Sequence, residues 1–136
     1  MIFVDTPPVA DTKKPTEAEL GILRVLWARG PSTVRDVAET MGRGGAYTTI
    51  LKLMQIMTEK GLIVRDDALR AHVYVAAQTE DHTQRQLVRD LLDRLFDGSA
   101  SRLVMQALAA KPASEDELHA IRRMVAGASS KKTVEE

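Results

Sequence analysis

The 136-residue chain contains no cysteine. That absence excludes disulfides, thiolate zinc sites and cysteine nucleophiles together, and it fits a reducing compartment. An excess of either charge is missing too. With 19 basic residues facing 19 acidic ones, no global field recommends nucleic acid or an anionic membrane as partner, so such binding has to come from a local arrangement of charge. Long apolar runs are also lacking, and none approaches the ~20 residues needed to cross a bilayer. The start, MIFVDTPPVADTKKP, has no basic segment followed by an apolar stretch and does not read as a secretion signal. The expectation is a soluble, cytoplasmic protein with no direct membrane insertion.

The ingredients of an enzyme are equally scarce. His72, His82 and His119 lie far apart, and none has a second ligand at metal spacing. The run GRGG at residues 42–45 lacks the GK[ST] ending of a phosphate loop and follows a helix instead of a strand. No serine sits in a GxSxG turn, and the methionines fall mostly at helical spacing, as core filler. No catalytic residue, metal or cofactor is expected.

What is present is a succession of short amphipathic segments. Pro15 and then Thr16, with Glu19 three residues on, form a capping box, and Leu20, Leu23, Leu26 and Trp27 supply an inward stripe that Gly30 and Pro31 end. A second helix capped by Thr33 points Val34, Val37, Ala38 and Met41 inward and stops at Gly42. After GRGG comes AYTTILKLMQIMTEKG, in which Ile50, Leu53, Met54 and Met57 repeat at helical spacing and Lys60 and Gly61 close the element. Leu62–Arg65 and Ala71–Ala76 read as two β-strands joined by a polar turn around Asp66, Asp67 and Arg70. In the second strand Val73 and Val75 alternate with His72 and Tyr74, which predicts an apolar and a polar face. Three helices and a hairpin are the layout of a winged helix-turn-helix, the hairpin being the wing.

Beyond Gln78 the composition changes. A long helix capped by Thr79 carries Leu87, Val88, Leu91, Leu92, Leu95 and Phe96, and Gly98 breaks it. A helix from about Ser101 carries Leu103, Val104 and Leu108, and a last one opens with the capping box Ser114 and Glu117. Three such helices make a thin core, so self-association is the economical way to cover their apolar face. The predicted organisation is a disordered arm at 1–14, a winged-helix domain at 15–78, a helical dimerisation domain at 79–126 and a disordered tail at 127–136. The fold class is mainly α.

The third helix carries the candidate chemistry. A recognition helix places its N-terminal residues in the DNA major groove, where the hydroxyls of Tyr47, Thr48 and Thr49 can meet phosphates or base edges, with Lys52 one turn on. The alternative is that these residues cap and fill a helical turn. Arg70 and His72, with Arg65 on the partner strand, bring donors to the flanking hairpin, and Arg43 and Arg35 add to that side. Over residues 16–77, however, 8 Lys and Arg face 7 Asp and Glu, so the module is weakly basic at most.

The run from TEAELGILRVLWARG to RAHVY, with DLLDRLFDGSASRLV behind it, resembles the BlaI/MecI penicillinase-repressor family of winged-helix transcriptional regulators over about residues 16–126. The resemblance rests on AYTT followed by an apolar helix and KGL, on RAHVY, and on LFDGSASRLV. It implies a homodimeric repressor of palindromic operator DNA, contacting double-stranded DNA through Tyr47, Thr48, Thr49 and Lys52, with wing contacts near Arg70 and His72. It also implies a dimer interface that includes Leu91, Leu95, Phe96, Leu103, Val104 and Leu108. In antibiotic-responsive members a membrane sensor metallopeptidase system leads to cleavage of an Asn-Phe bond in the dimerisation region; the pair at that place here is Gln106–Ala107, a departure from the pattern. Copper-responsive relatives carry C-terminal cysteine pairs that this chain lacks. The rival reading is a winged-helix protein–protein interaction module, which needs neither a basic wing nor salt-sensitive DNA affinity.

Overall fold

The computed structural model describes residues 14–42, 46–68 and 72–135, with side chains as far as residue 128. The arm expected at 1–14 (save Lys14), residues 43–45 of the GRGG turn, and residues 69–71 of the wing lie outside the described residues. The element order is α1 (Glu17–Arg29), α2 (Val34–Met41), α3 (Tyr47–Lys60), β1 (Ile63–Asp66), β2 (Val73–Ala76), α4 (Glu80–Leu95), α5 (Ala100–Ala110) and α6 (Glu115–Glu135). The chain divides into two compact units, residues 1–86 and 87–136. The boundary thus falls inside α4, about two turns later than the expected break at 78/79.

Local chemistry sets the first helices. Thr16 accepts from the Glu19 amide at 3.2 Å while Glu19 Oε1 accepts from the Thr16 amide at 2.9 Å, the reciprocal box that satisfies two otherwise orphaned donors. Thr33 and Asp36 repeat the arrangement at α2, each bond 3.0 Å long. At the end of α3, Gly61 takes the left-handed conformation at φ 83°, and its amide donates to the carbonyls of Met57 and Thr58. Any other residue there would carry a Cβ penalty.

The core of the first unit gathers Ile22, Leu23 and Leu26 from α1, Val34, Val37 and Ala38 from α2, and Ile50, Met54 and Met57 from α3, with Ile63 and Tyr74 from the hairpin. Leu20 and Trp27 are half-buried at its rim, and Ile22, absent from the expected stripe, is fully buried. The Trp27 indole N–H donates to the Gln78 carbonyl at 2.9 Å, tying α1 to the segment that leaves the hairpin.

The hairpin departs from expectation in which face is inward. Antiparallel register pairs Ile63 with Ala76, Val64 with Val75, Arg65 with Tyr74, and Asp66 with Val73. Ile63 packs into the core under α3, and the period-2 geometry of strands places Tyr74 on the same side. Tyr74 is therefore buried, Val64 is exposed and Val75 is half-buried, the reverse of the polar face predicted for Tyr74. Val73 is buried as well. A further constraint comes from Ser32, itself buried, whose backbone exchanges two hydrogen bonds with Tyr74 at 2.8 and 3.1 Å and so adds a bridge to the outer edge of β2.

In the second unit, α5 is capped by Ser99 and α6 by the expected box of Ser114 and Glu117. Asp97 (φ 55°) and Gly98 (φ 80°) turn the chain between α4 and α5. The tail expected at 127–136 is instead continuous with α6 as far as Glu135, since one glycine without a proline does not terminate a helix.

Two predictions concern the first unit. The Lys60 ammonium lies 2.7 Å from Glu19 Oε1, and both groups are largely withdrawn from water. Glu19→Gln keeps an oxygen for the Thr16 cap but leaves Lys60 without its counter-charge. It should cost about 1–3 kcal/mol in urea unfolding at pH 7; an unchanged midpoint would show that the pair adds nothing. The second concerns Asp36, whose carboxyl is held below the usual range, first by the Thr33 amide and then by the Thr33 hydroxyl, against an opposing effect of burial, with the Arg29 charge as the least of the four influences. A lowered folded-state pKa gives stability that is present above the unfolded value of about 3.9 and lost as pH falls through the folded one. Asp36→Asn should therefore lower the melting temperature at pH 7, and its difference from the parent should narrow as pH falls below the unfolded value of about 3.9.

Candidate nucleic-acid interface

The burial of α3 decides which of its residues face solvent. Ile50, Met54 and Met57 point into the core, so Thr48, Lys52, Gln55 and Glu59 on the opposite side are exposed, as are the flanking Tyr47 and Thr49. The N-cap is Ala46, which makes no side-chain cap bond. The opening hydroxyls of α3 are thus not used as the cap that the bland alternative assigned to them. They form a solvent-facing polar edge at the start of a helix whose other face is anchored on α2 and β1.

Arg35 of α2 reaches this edge. Its guanidinium carbon lies 6.0 Å from the centre of the Tyr47 ring, within the range of a cation–π contact. Such a contact contributes about 0.5–1 kcal/mol when exposed. More relevant here, it gives the phenol a preferred place across the connection between α2 and α3. On the same helix Asp36 is engaged by Arg29, whose Nη2 stands 3.3 Å from Asp36 Oδ1 and whose Nη1 donates to Thr40 Oγ1 at 3.2 Å.

At the wing, His72 is exposed at the foot of β2, and Arg65 is exposed on β1. Both meet Asp67: Oδ1 of that residue lies 2.9 Å from Arg65 Nε and 3.2 Å from His72 Nδ1. The expected basic wing therefore carries its counter-charge within it. Arg43 and Arg70, the other two expected contacts, lie outside the described residues. Asp67 and the Arg35–Tyr47 contact were not assigned from sequence. Asp67 was visible there as part of a polar turn, but the register that places it between two donors was not.

In the second unit no described residue is buried. Leu91, Leu95 and Val104 are exposed, and Phe96, Leu103 and Leu108 are half-buried. Leu95, Phe96, Arg102, Met105, Gln106 and Ala110 line an open cleft of about 750 Å³. Gln106 and Ala107 sit inside α5, with the Ala107 carbonyl accepting from the Lys111 amide at 3.1 Å. A protease that binds substrate in extended form reaches that bond only after the helix opens.

Three helices and a hairpin, with an exposed polar edge at the start of the third helix, followed by a helical region, define the class: a winged helix-turn-helix protein. The sequence pattern described as "Penicillinase repressor" matches residues 15–127. The chain belongs to that family, which is one of transcriptional repressors and not of enzymes. Two curated relatives, both "Transcriptional regulator BlaI" of Mycobacterium tuberculosis, from strains CDC 1551 / Oshkosh and ATCC 25618 / H37Rv, are each 34% identical over 115 residues, which is 81% of this chain and 81% of theirs. The family resemblance carried by AYTT, KGL and RAHVY is borne out. Among the described residues, no helix is long and apolar enough to cross a membrane.

Proposed function

We propose that the chain works in the cytoplasm as a homodimer that represses transcription by occupying palindromic operator DNA. The observation that carries this reading is the exposed, uncapped polar start of α3 on a helix whose opposite face is locked into the core. Thr48 and Thr49 meet base edges, Tyr47 and Lys52 meet the backbone beside them, and the wing with His72 and Arg70 flanks the same groove. Arg43 lies in the connection that leads into α3.

Dimerisation through the second unit is supported by apolar side chains that one copy leaves uncovered, Leu95 among them at 68% exposed. Induction by cleavage at Gln106–Ala107, under a membrane sensor metallopeptidase, fits the same scheme. Opening α5 for the cut also displaces Leu103, Val104 and Leu108, so cutting and loss of the dimer face become one event.

A duplex recovered from a randomised pool should contain an inverted repeat whose half-site centres are separated by a multiple of about 34–36 Å. On it, Thr48→Ala or Thr49→Ala should cost about 1–3 kcal/mol and leave binding to scrambled duplex almost unchanged, because a base-edge contact is lost only on the right sequence. Equal losses on both duplexes would reduce the threonines to positioning groups. Binding indifferent to salt and sequence alike would point to a protein-binding module.

Leu95→Glu should abolish the dimer in sedimentation and weaken operator binding by about 10²–10⁴, the advantage of a tethered second module. A monomeric variant that keeps full operator affinity would separate dimerisation from DNA binding.

A further inference from the structure

The wing holds a charge arrangement that phosphate contact by Arg65 and His72 leaves unexplained. Arg65 Nε and His72 Nδ1 both lie against one oxygen, Asp67 Oδ1, at 2.9 and 3.2 Å. The three side chains are 46%, 65% and 57% exposed for Arg65, His72 and Asp67, so the cluster does little for stability. Its effect is on orientation. A carboxylate oxygen accepting from a guanidinium on one strand and an imidazole beside the other stands where a phosphate oxygen would accept from the same two donors. The adjacent Asp66 is used differently: its Oδ1 accepts the Ala68 amide at 3.0 Å, a local turn bond. Arg65 and Asp67 also share a cleft with Gln55, Thr58 and Glu59 of α3, which places the cluster beside the recognition helix.

We propose that Asp67 sets the DNA affinity of the wing by acting as an internal stand-in for phosphate, engaging Arg65 and His72 in the free protein and yielding them to the DNA backbone on binding. The inference rests on the reading of the wing as a DNA-flanking element. Backbone contacts supply nearly all non-specific affinity. A wing that must exchange one anion for another therefore binds arbitrary sequence weakly and leaves discrimination to α3. Asp67 acts through its two partners, as a positioning residue.

The test uses the full-length chain and a mixed-sequence duplex of about three helical turns, titrated by fluorescence anisotropy across a range of salt concentrations. Asp67→Asn conserves shape at an exposed position. It should tighten binding about three- to tenfold at low salt and steepen the dependence of log affinity on log salt by up to about 0.9, the contribution of one further phosphate neutralised without a displaced carboxylate taking up a cation in return. Asp66→Asn removes the same charge from the neighbouring residue and measures general repulsion. The gain of Asp67→Asn should exceed that of Asp66→Asn, and the excess should vanish in an Arg65→Ala/His72→Ala background. Equal gains from the two asparagine variants, or an excess that survives removal of both partners, would overturn the inference while leaving DNA binding intact. A parent protein with no salt-dependent affinity for duplex would overturn the DNA reading and this inference together.

Discussion

One carboxylate ties the first unit together. Glu19 Oε1 accepts from the Thr16 amide at the start of α1 and from the Lys60 ammonium at the end of α3, at 2.9 and 2.7 Å. The same group thus begins one helix and pins the far end of another. An ion pair so far removed from water is weak as a source of net stability, because desolvation offsets much of its attraction, but it is costly to break from one side. Its consequence is geometric. With Lys60 held at α1 and Ile50, Met54 and Met57 buried, α3 cannot rotate about its axis without unpairing a charge and exposing its stripe. The outward direction of Thr48 and Lys52 follows from that restriction.

The neutral overall charge is organised in short-range pairs, not spread evenly. Arg29 with Asp36, Lys60 with Glu19, and Arg65 with Asp67 each join a cation to an anion within 3.3 Å. Such pairing keeps the surface field low, so sequence-independent attraction to DNA stays modest. For a repressor that must distinguish its site from an excess of other DNA, a low background is an advantage.

The two units solve the burial problem differently. In the first, three helices and a hairpin enclose a common core, with a tyrosine and a serine drawn in by backbone pairing. In the second, capped helices of ordinary composition leave Leu91, Leu95, Val104 and Met105 in contact with water within one copy. Local signals make those helices; their own packing does not cover them. The exposed side chains therefore mark where association would lower the free energy.

By itself the sequence determined the helices and their ends, because caps and apolar periodicity are local: the Thr16–Glu19, Thr33–Asp36 and Ser114–Glu117 boxes, and the glycine ends at 30, 42 and 61, all form as the residue types require. The candidate edge at Tyr47–Thr49 was legible for the same reason, since the stripe that begins at Ile50 dictates the buried side of the helix. Tertiary structure alone decided what depends on register and on approach between distant segments. Whether Tyr74 or Val75 faces inward turns on a one-residue phase that an apolar–aromatic alternation leaves open, and Ile63 and Ser32 fix it. The pairing of Glu19 with Lys60, of Arg35 with Tyr47, and of Asp67 with both Arg65 and His72 likewise became visible only with the fold in place, because charge in a sequence shows sign and number, while the partner of each charge is set by the path of the chain.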